Sequence, residues 1–212
     1  MTILVTGFEP NDDGLNASKI LLESLRDDPP ESLSGMGERI HYAVIPPSTK
    51  QLKTVILQHI ARCKPDYCIF IGQAPGRNKI TFERLATNLK DFGSADGEGN
   101  QPKGEVIEAD GSAAYWSNLP DQEALVARLN GNGIPAAFSN HAGNHLCNQI
   151  LYHALYHAAS ANLDVQCGFI HIPALPIQAQ TQWLGAPFIP LAMAREALAM
   201  VIKDLAGRTS LG

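Results

Sequence analysis

Charge is scarce in this 212-residue chain, at 17% Asp, Glu, Lys and Arg, and no cluster of Lys or Arg forms a basic patch. With 16 basic against 21 acidic residues and a net charge of -5, the electrostatic footprint of a nucleic-acid or anionic-membrane binder is missing. Long apolar runs are missing too. Pro, Gly, His or a charge interrupts every stretch before the roughly 18 residues that a membrane-spanning helix needs. The segment Met1-Thr2-Ile3-Leu4-Val5-Thr6-Gly7 has no basic lead and no small-residue cleavage site, so a cytoplasmic location is expected. Cysteine is limited to Cys63, Cys68, Cys147 and Cys167, with no C-x-x-C spacing, which argues against a disulfide framework and against a zinc ribbon. No internal repeat, low-complexity tract or linker divides the chain, and a single domain over 1–212 is expected.

What is present is hydrophobic content of 45%, arranged in alternating short apolar runs and helical stripes. Ile3-Leu4-Val5 reads as a buried strand entering a loop at Thr6-Gly7, and Asn16 caps a helix carrying Ile20, Leu21 and Leu25. Strand-like Ile40 to Ile45, a helix from Thr49 to Ile60, and the run Tyr67 to Ile71 ending at Gly72 repeat the pattern. Ile80 to Asn88 alternates imperfectly as a strand, and Lys90 to Asp110 reads as a long polar surface excursion of the kind that can act as a lid. A helix from Asp121 to about Leu129, a strand at Ala136 to Phe138, a helix from about Cys147 to Ala159, a strand from Cys167 to Ile172 and an amphipathic helix from Pro190 to Ala206 complete the order. This alternation predicts an α/β fold, a three-layer α/β/α sandwich around a central, mostly parallel mixed sheet. Its functional site is expected at the C-terminal ends of the strands.

Ser139 to Asn148 is a short polar loop running from a strand into a helix, and it places Cys147 in the first helical turn. Unpaired N–H groups and the positive end of the helix macrodipole favour a thiolate there, which suits a nucleophile. An inert core thiol is the competing reading. His171 stands near the end of an apolar strand, where no local feature calls for a polar side chain. It is expected on the same sheet rim as Cys147, as a base or as a core imidazole bonded to backbone. Cys167 shares its strand face but lies deeper and reads as structural. Glu83 would fix the imidazole tautomer if it stood behind His171. Otherwise it is a surface carboxylate paired with Lys79 or Arg84.

Several segments together resemble the pyroglutamyl peptidase (pyrrolidone-carboxylate peptidase) family. They are Gly7-Phe8-Glu9-Pro10 with Asn16, Gly76-Arg77 through Ile80-Thr81-x-Glu83-Arg84-x-Ala86-x-Asn88, Ser139-Asn140-x-Ala142-Gly143-x-x-x-Cys147-Asn148, and Gly168-Phe169-Ile170-His171-x-Pro173. Gly99-Asn100-Gln101-Pro102 and Leu119-Pro120 fall in the same order. The resemblance implies a cofactor-free cysteine peptidase that removes N-terminal pyroglutamate by thioester acyl transfer. Cys147 would be the nucleophile, His171 the base and Glu83 the orienting acid. It implies further that Phe8 faces the lactam ring, that Asn16 and Gln73 meet its polar edge, that the substrate is a peptide with a blocked N-terminus, and that the chain forms a homo-oligomer, a tetramer. Three positions depart from the family's pattern. Asn11 stands where an aromatic residue is common, Gly93 where an arginine is usual, and His145 two residues before the cysteine.

Other readings have their own residues. The departures suggest a family member with an altered pocket that takes another substrate or only binds. Gly72-Gln73-Ala74-Pro75-Gly76-Arg77 after a strand could cradle an anion, as in a nucleoside phosphorylase, although it lacks a phosphate-loop pattern. His153 and His157, one helical turn apart, could pair on a metal or simply line a partly exposed helix face. Trp116 and Trp183 are expected as core or subunit contacts.

Overall fold

The computed structural model describes residues 1–11 and 14–208. Strands β1 (Ile3–Phe8), β2 (Ile40–Ile45), β3 (Tyr67–Gln73), β4 (Ile80–Glu83), β7 (Ala136–Ser139) and β8 (Gln166–Ile172) form one six-stranded sheet in the order β2-β1-β3-β8-β4-β7. Two short strands, β5 (Leu85–Thr87) and β6 (Ala114–Trp116), pair antiparallel in a sheet of their own. Neighbours in the large sheet are parallel except β4 against β8, so the sheet is mixed but mostly parallel.

A sheet covered on both faces needs apolar residues at consecutive positions rather than at alternate ones, and β1 is buried throughout. Its Ile3 and Val5 join a core with α1 (Ala17–Asp27), α3 (Gln122–Gly131) and α6 (Leu191–Ala206). Leu4 and Phe8 join a second core with α2 (Leu52–Cys63) and α4 (Leu146–Ser160) on the opposite face. The α/β/α sandwich expected from the alternation is therefore the observed architecture.

Local chemistry sets most element ends. The Asn16 side chain accepts from the Ser18 N–H at 3.0 Å and caps α1. Lys64, in the left-handed region at φ 44°, closes α2 by donating its N–H to the Ile60 carbonyl. Helix α2 begins three residues later than expected, because Pro46 to Gln51 form a turn in which the Ser48 carbonyl accepts from Leu52. The stretch from Ile80 to Asn88 is two strands of different sheets. The chain breaks at Arg84, whose N–H donates to Ser139 and whose carbonyl accepts from Ser117, which accounts for the imperfect alternation. The short helix α5 (Pro176–Thr181) and strand β6 carried no clear periodic signal.

The excursion from Lys90 to Asp110 contains no regular element but is well anchored. Phe92 is fully buried, and the buried Asp96 carboxylate accepts N–H bonds from Thr49, Glu98 and Asn100. Desolvation would raise that carboxyl, but the three backbone donors outweigh it and hold it below its ordinary value. Glu108 pairs with Lys53 and with the buried His153 of α4. Among the described residues no helix is long and apolar enough to cross a membrane.

Candidate active site

The nucleophile candidate sits where a short polar loop turns into α4. His145 is the N-cap residue in extended backbone, and the first helical hydrogen bond runs from the Gln149 N–H to the His145 carbonyl. The N–H groups of Leu146, Cys147 and Asn148 precede that bond, so geometry leaves them no partner within the helix. Asn148 is buried and clamps this end of α4. Its oxygen accepts from the Thr87 N–H at 2.8 Å, while its amide donates to the carbonyls of Thr87 and Leu89. Gln149 exchanges two hydrogen bonds with Thr49 ahead of α2.

His171 occupies the sixth position of β8, and its register partner on β3 is Gly72. A Cβ placed on Gly72 would lie 3.0 Å from the Cys147 sulfur and 2.6 Å from the Phe169 ring. Side chains at register partners of a parallel pair leave the same face, so His171 and the Cys147 thiol lie over one face of adjacent strands. Gly72 keeps that space open. The Gly72→Ala variant is expected to lose about 1–3 kcal/mol of stability by overpacking. Its turnover should fall further than its melting temperature suggests, because the new methyl displaces the sulfur. Thermal unfolding alongside steady-state kinetics checks this, and unchanged turnover would contradict the placement.

Behind the imidazole, Glu83 ends β4. It is completely buried, and its Oε1 accepts from His171 Nδ1 at 2.7 Å. Burial would raise this carboxyl, but hydrogen bonds and charge from His171, with the nearby Ser139 hydroxyl and Arg77, hold it below its ordinary value. An ionised Glu83 fixes the proton of neutral His171 on Nδ1 and leaves Nε2 as an acceptor. Burial pushes the His171 imidazole below its usual 6.5, against Glu83 and with help from the Arg77 charge. Desolvation pushes the half-buried Cys147 thiol up to about 12, with Glu83 adding and Arg77 opposing. Desolvation thus works against a resting thiolate at this helix start. Both shifts favour the neutral thiol and the neutral imidazole.

The alternative pairing of Glu83 with Lys79 or Arg84 does not occur. Its partner is Arg77, which also bonds Thr81 and the His141 carbonyl. Arg84 points the other way, with its guanidinium 4.0 Å above the Phe138 ring. Cys167 is fully buried beside its register partner Cys68, as a structural thiol should be. The Arg77 guanidinium of the supposed anion cradle is engaged with Glu83. His153 is a buried side chain held between Glu108 and Gln149 rather than part of an exposed face. Trp116 is 66% exposed, so it is not in the core.

Asn16 and Gln73 line one cavity of about 290 Å³ together with Asn11, Leu15, Gln182 and Trp183. The Gln73 oxygen already accepts from the Ala17 N–H and the Gln178 amide, so only its Nε2 remains to donate. Phe8 is not part of that wall. It is buried in the α2/α4 core with Phe70 and Phe92. His145 lies against Phe92, with ring centroids 3.9 Å apart, and its Nε2 is 3.2 Å from the Ser94 carbonyl. Gly93 has open space where a side chain would begin.

A thiol at a helix start, over the same sheet face as an imidazole bonded to a buried carboxylate, is the equipment of a cysteine hydrolase. The comparisons narrow that class. The pyroglutamyl peptidase family model matches residues 1–207, and the chain belongs to that family. Pyrrolidone-carboxylate peptidase of Bacillus cereus (strain Q1) is 36% identical over 204 residues, covering 95% of this chain and 91% of the relative. The crystal structure of Bacillus amyloliquefaciens pyroglutamyl peptidase I superposes with a TM-score of 0.88 at 33% identity, covering 98% of this chain and 97% of that one. A mutant pyrrolidone carboxyl peptidase from the hyperthermophile Pyrococcus furiosus gives 0.85 at 32% identity, covering 96% and 97%.

Proposed function

We propose that this protein is a cysteine peptidase that removes pyroglutamate from the N-terminus of peptides, using Cys147, His171 and Glu83 within a single domain over 1–212. The observation that carries the reading is the buried Glu83–His171 hydrogen bond beside the strand position against which the Cys147 sulfur rests. As the sulfur attacks the carbonyl that joins pyroglutamate to the next residue, His171 Nε2 takes the thiol proton. The Glu83 carboxylate, which stays ionised, stabilises the imidazolium that forms. The oxyanion is held by N–H groups at the start of α4. Collapse of the tetrahedral species breaks the C–N bond, His171 protonates the departing amine, and a thioester remains on Cys147. Water, deprotonated by the same imidazole, releases pyroglutamate and restores the thiol.

The cavity lined by Asn11, Asn16, Gln73 and Gln182 offers neutral amides and the Trp183 ring, a combination suited to an uncharged lactam. Four unpaired cysteines agree with a cytoplasmic, reducing location. Exposed Leu184 and Phe188, 83% and 55% accessible, support assembly into a homo-oligomer, proposed as a tetramer. Asn11 at the cavity wall favours one second reading, a pocket changed toward another ligand.

The deciding assay is release of a chromophore from a pyroglutamyl amide by the purified protein and by Cys147→Ala. Release by the parent alone is expected. Release by both overturns the nucleophile, and release by neither favours the altered pocket.

A further inference from the structure

Arg77 lies in the turn after β3, where its N–H donates to the Ala74 carbonyl and Gly76 takes a φ of +96° that suits glycine. From that turn the guanidinium reaches three groups at once. One nitrogen bonds both Glu83 Oε1 and the Thr81 hydroxyl, and the other donates to the His141 carbonyl at 3.1 Å. The oxygen it holds is the one that receives the His171 Nδ1 proton, while Glu83 Oε2 is buried without a hydrogen bond. The His171 and Arg77 hydrogen bonds thus converge on a single oxygen of the carboxylate, which the Ser139 hydroxyl also supports. His141 lies in the loop between β7 and α4, six residues before Cys147. One side chain therefore ties the acid of the relay to the loop that delivers the nucleophile.

We propose that Arg77 is a positioning residue of this active site, which locks the Glu83 carboxylate behind His171 and sets the Cys147 loop in register with it. The inference rests on the peptidase reading for its kinetics but not for its structural part. A guanidinium with two separate nitrogens suits the task, because a lysine ammonium is a point charge that cannot span Glu83 and the His141 carbonyl in the same way. The charge has a second effect. The groups acting on the His171 imidazole are Glu83 from β4 and Arg77 from the turn, with the Phe169 ring beside it on its own strand and the Cys147 sulfur over its register partner Gly72. Arg77 is the one cation among them, and it offsets the pull of Glu83 toward a resting imidazolium.

The test compares Arg77→Ala and Arg77→Lys in the parent and in a Glu83→Gln background. Steady-state kinetics are read on a pyroglutamyl amide, and the His171 imidazole is titrated by NMR in the free protein. In the parent background Arg77→Ala should lower kcat by about 10²-fold, the scale set by a misplaced reacting group. KM should stay within about threefold, since no binding contact is removed. The His171 titration should move to higher pH in Arg77→Ala and return toward the parent midpoint in Arg77→Lys, which restores charge but only part of kcat. In the Glu83→Gln background, Arg77→Ala should cost much less than in the parent, because its route to the chemistry is already cut. A His171 titration unmoved by Arg77→Ala overturns the proposal, as does an equal loss in both backgrounds or a rise in KM alone. If the parent releases no chromophore, the peptidase reading fails, yet the His171 titration still decides whether Arg77 governs the relay. Arg77→Lys carries the test if the alanine variant does not fold.

Discussion

Glu83→Gln is expected to reduce kcat by about 10³–10⁴-fold, the scale on which an orienting acid acts in a relay of this type, while KM changes little. The substitution keeps the side-chain shape but removes the charge. It also offers His171 Nδ1 an amide that can donate as well as accept. With the amide donating to Nδ1, the imidazole proton moves to Nε2, and the nitrogen that must take the thiol proton is blocked. With the carbonyl accepting instead, the tautomer survives but the imidazolium formed during attack loses its counter-charge. Both routes act on the chemical step. The buried His171–Glu83 contact at 2.7 Å carries this prediction, and a Glu83→Gln variant with kcat within tenfold of the parent would show that the contact is only structural.

The second large effect concerns the resting charge state. With the thiol pushed up to about 12 and the imidazole held below 6.5, the pair is neutral near pH 7. It is unlike the ion pair of a strongly activated cysteine. Alkylation of the free enzyme at Cys147 by iodoacetamide should be at least about tenfold slower at pH 7 than that of a solvent-exposed thiol of ordinary pKa, because the thiolate is the reactive form. Its rate should rise with pH and show no plateau on the acid side of neutrality. Turnover has the opposite signature. In the proposed mechanism neutral His171 is the working form, and its folded pKa is depressed, so activity should persist below pH 6.5 and fall only as pH passes through the depressed value. The same shift bears on stability. Unfolded His171 binds a proton near 6.5 while the folded residue resists it, so stability contributed by the neutral form is present above 6.5 and declines as pH falls from there toward the folded value. An acid-side alkylation plateau would contradict the neutral pair.

The fold was legible because its signals are local. Continuous apolar strands such as Ile3 to Val5, the Asn16 cap and the leucine stripe of α1 each state an element without reference to anything distant. Cys147 at a helix start and His171 on a strand rim were readable in the same way, and the family resemblance supplied the link between them. The environment of Glu83 was not. Sequence proximity favoured Lys79 or Arg84 as its partner, but Glu83 leaves β4 on the same sheet face as His171, while the chain breaks at Arg84 and its guanidinium lies over Phe138. The partner is Arg77, brought close by the turn between β3 and β4. The polar composition from Lys90 to Asp110 concealed Phe92, whose ring pegs that segment into the core beneath His145. The shift of the thiol was also out of reach, because a helix N-terminus is visible in a sequence whereas the desolvation that opposes it comes from tertiary packing.

In the proposed mechanism Cys147 forms a covalent bond to the acyl group of the substrate. Rapid acid quench of the enzyme during turnover of a pyroglutamyl ester, followed by mass spectrometry of its peptides, tests this directly. A pyroglutamoyl adduct confined to the peptide that carries Cys147 is expected, as is its disappearance in Cys147→Ala. Sustained hydrolysis with the adduct on another residue, or undiminished in Cys147→Ala, would contradict it.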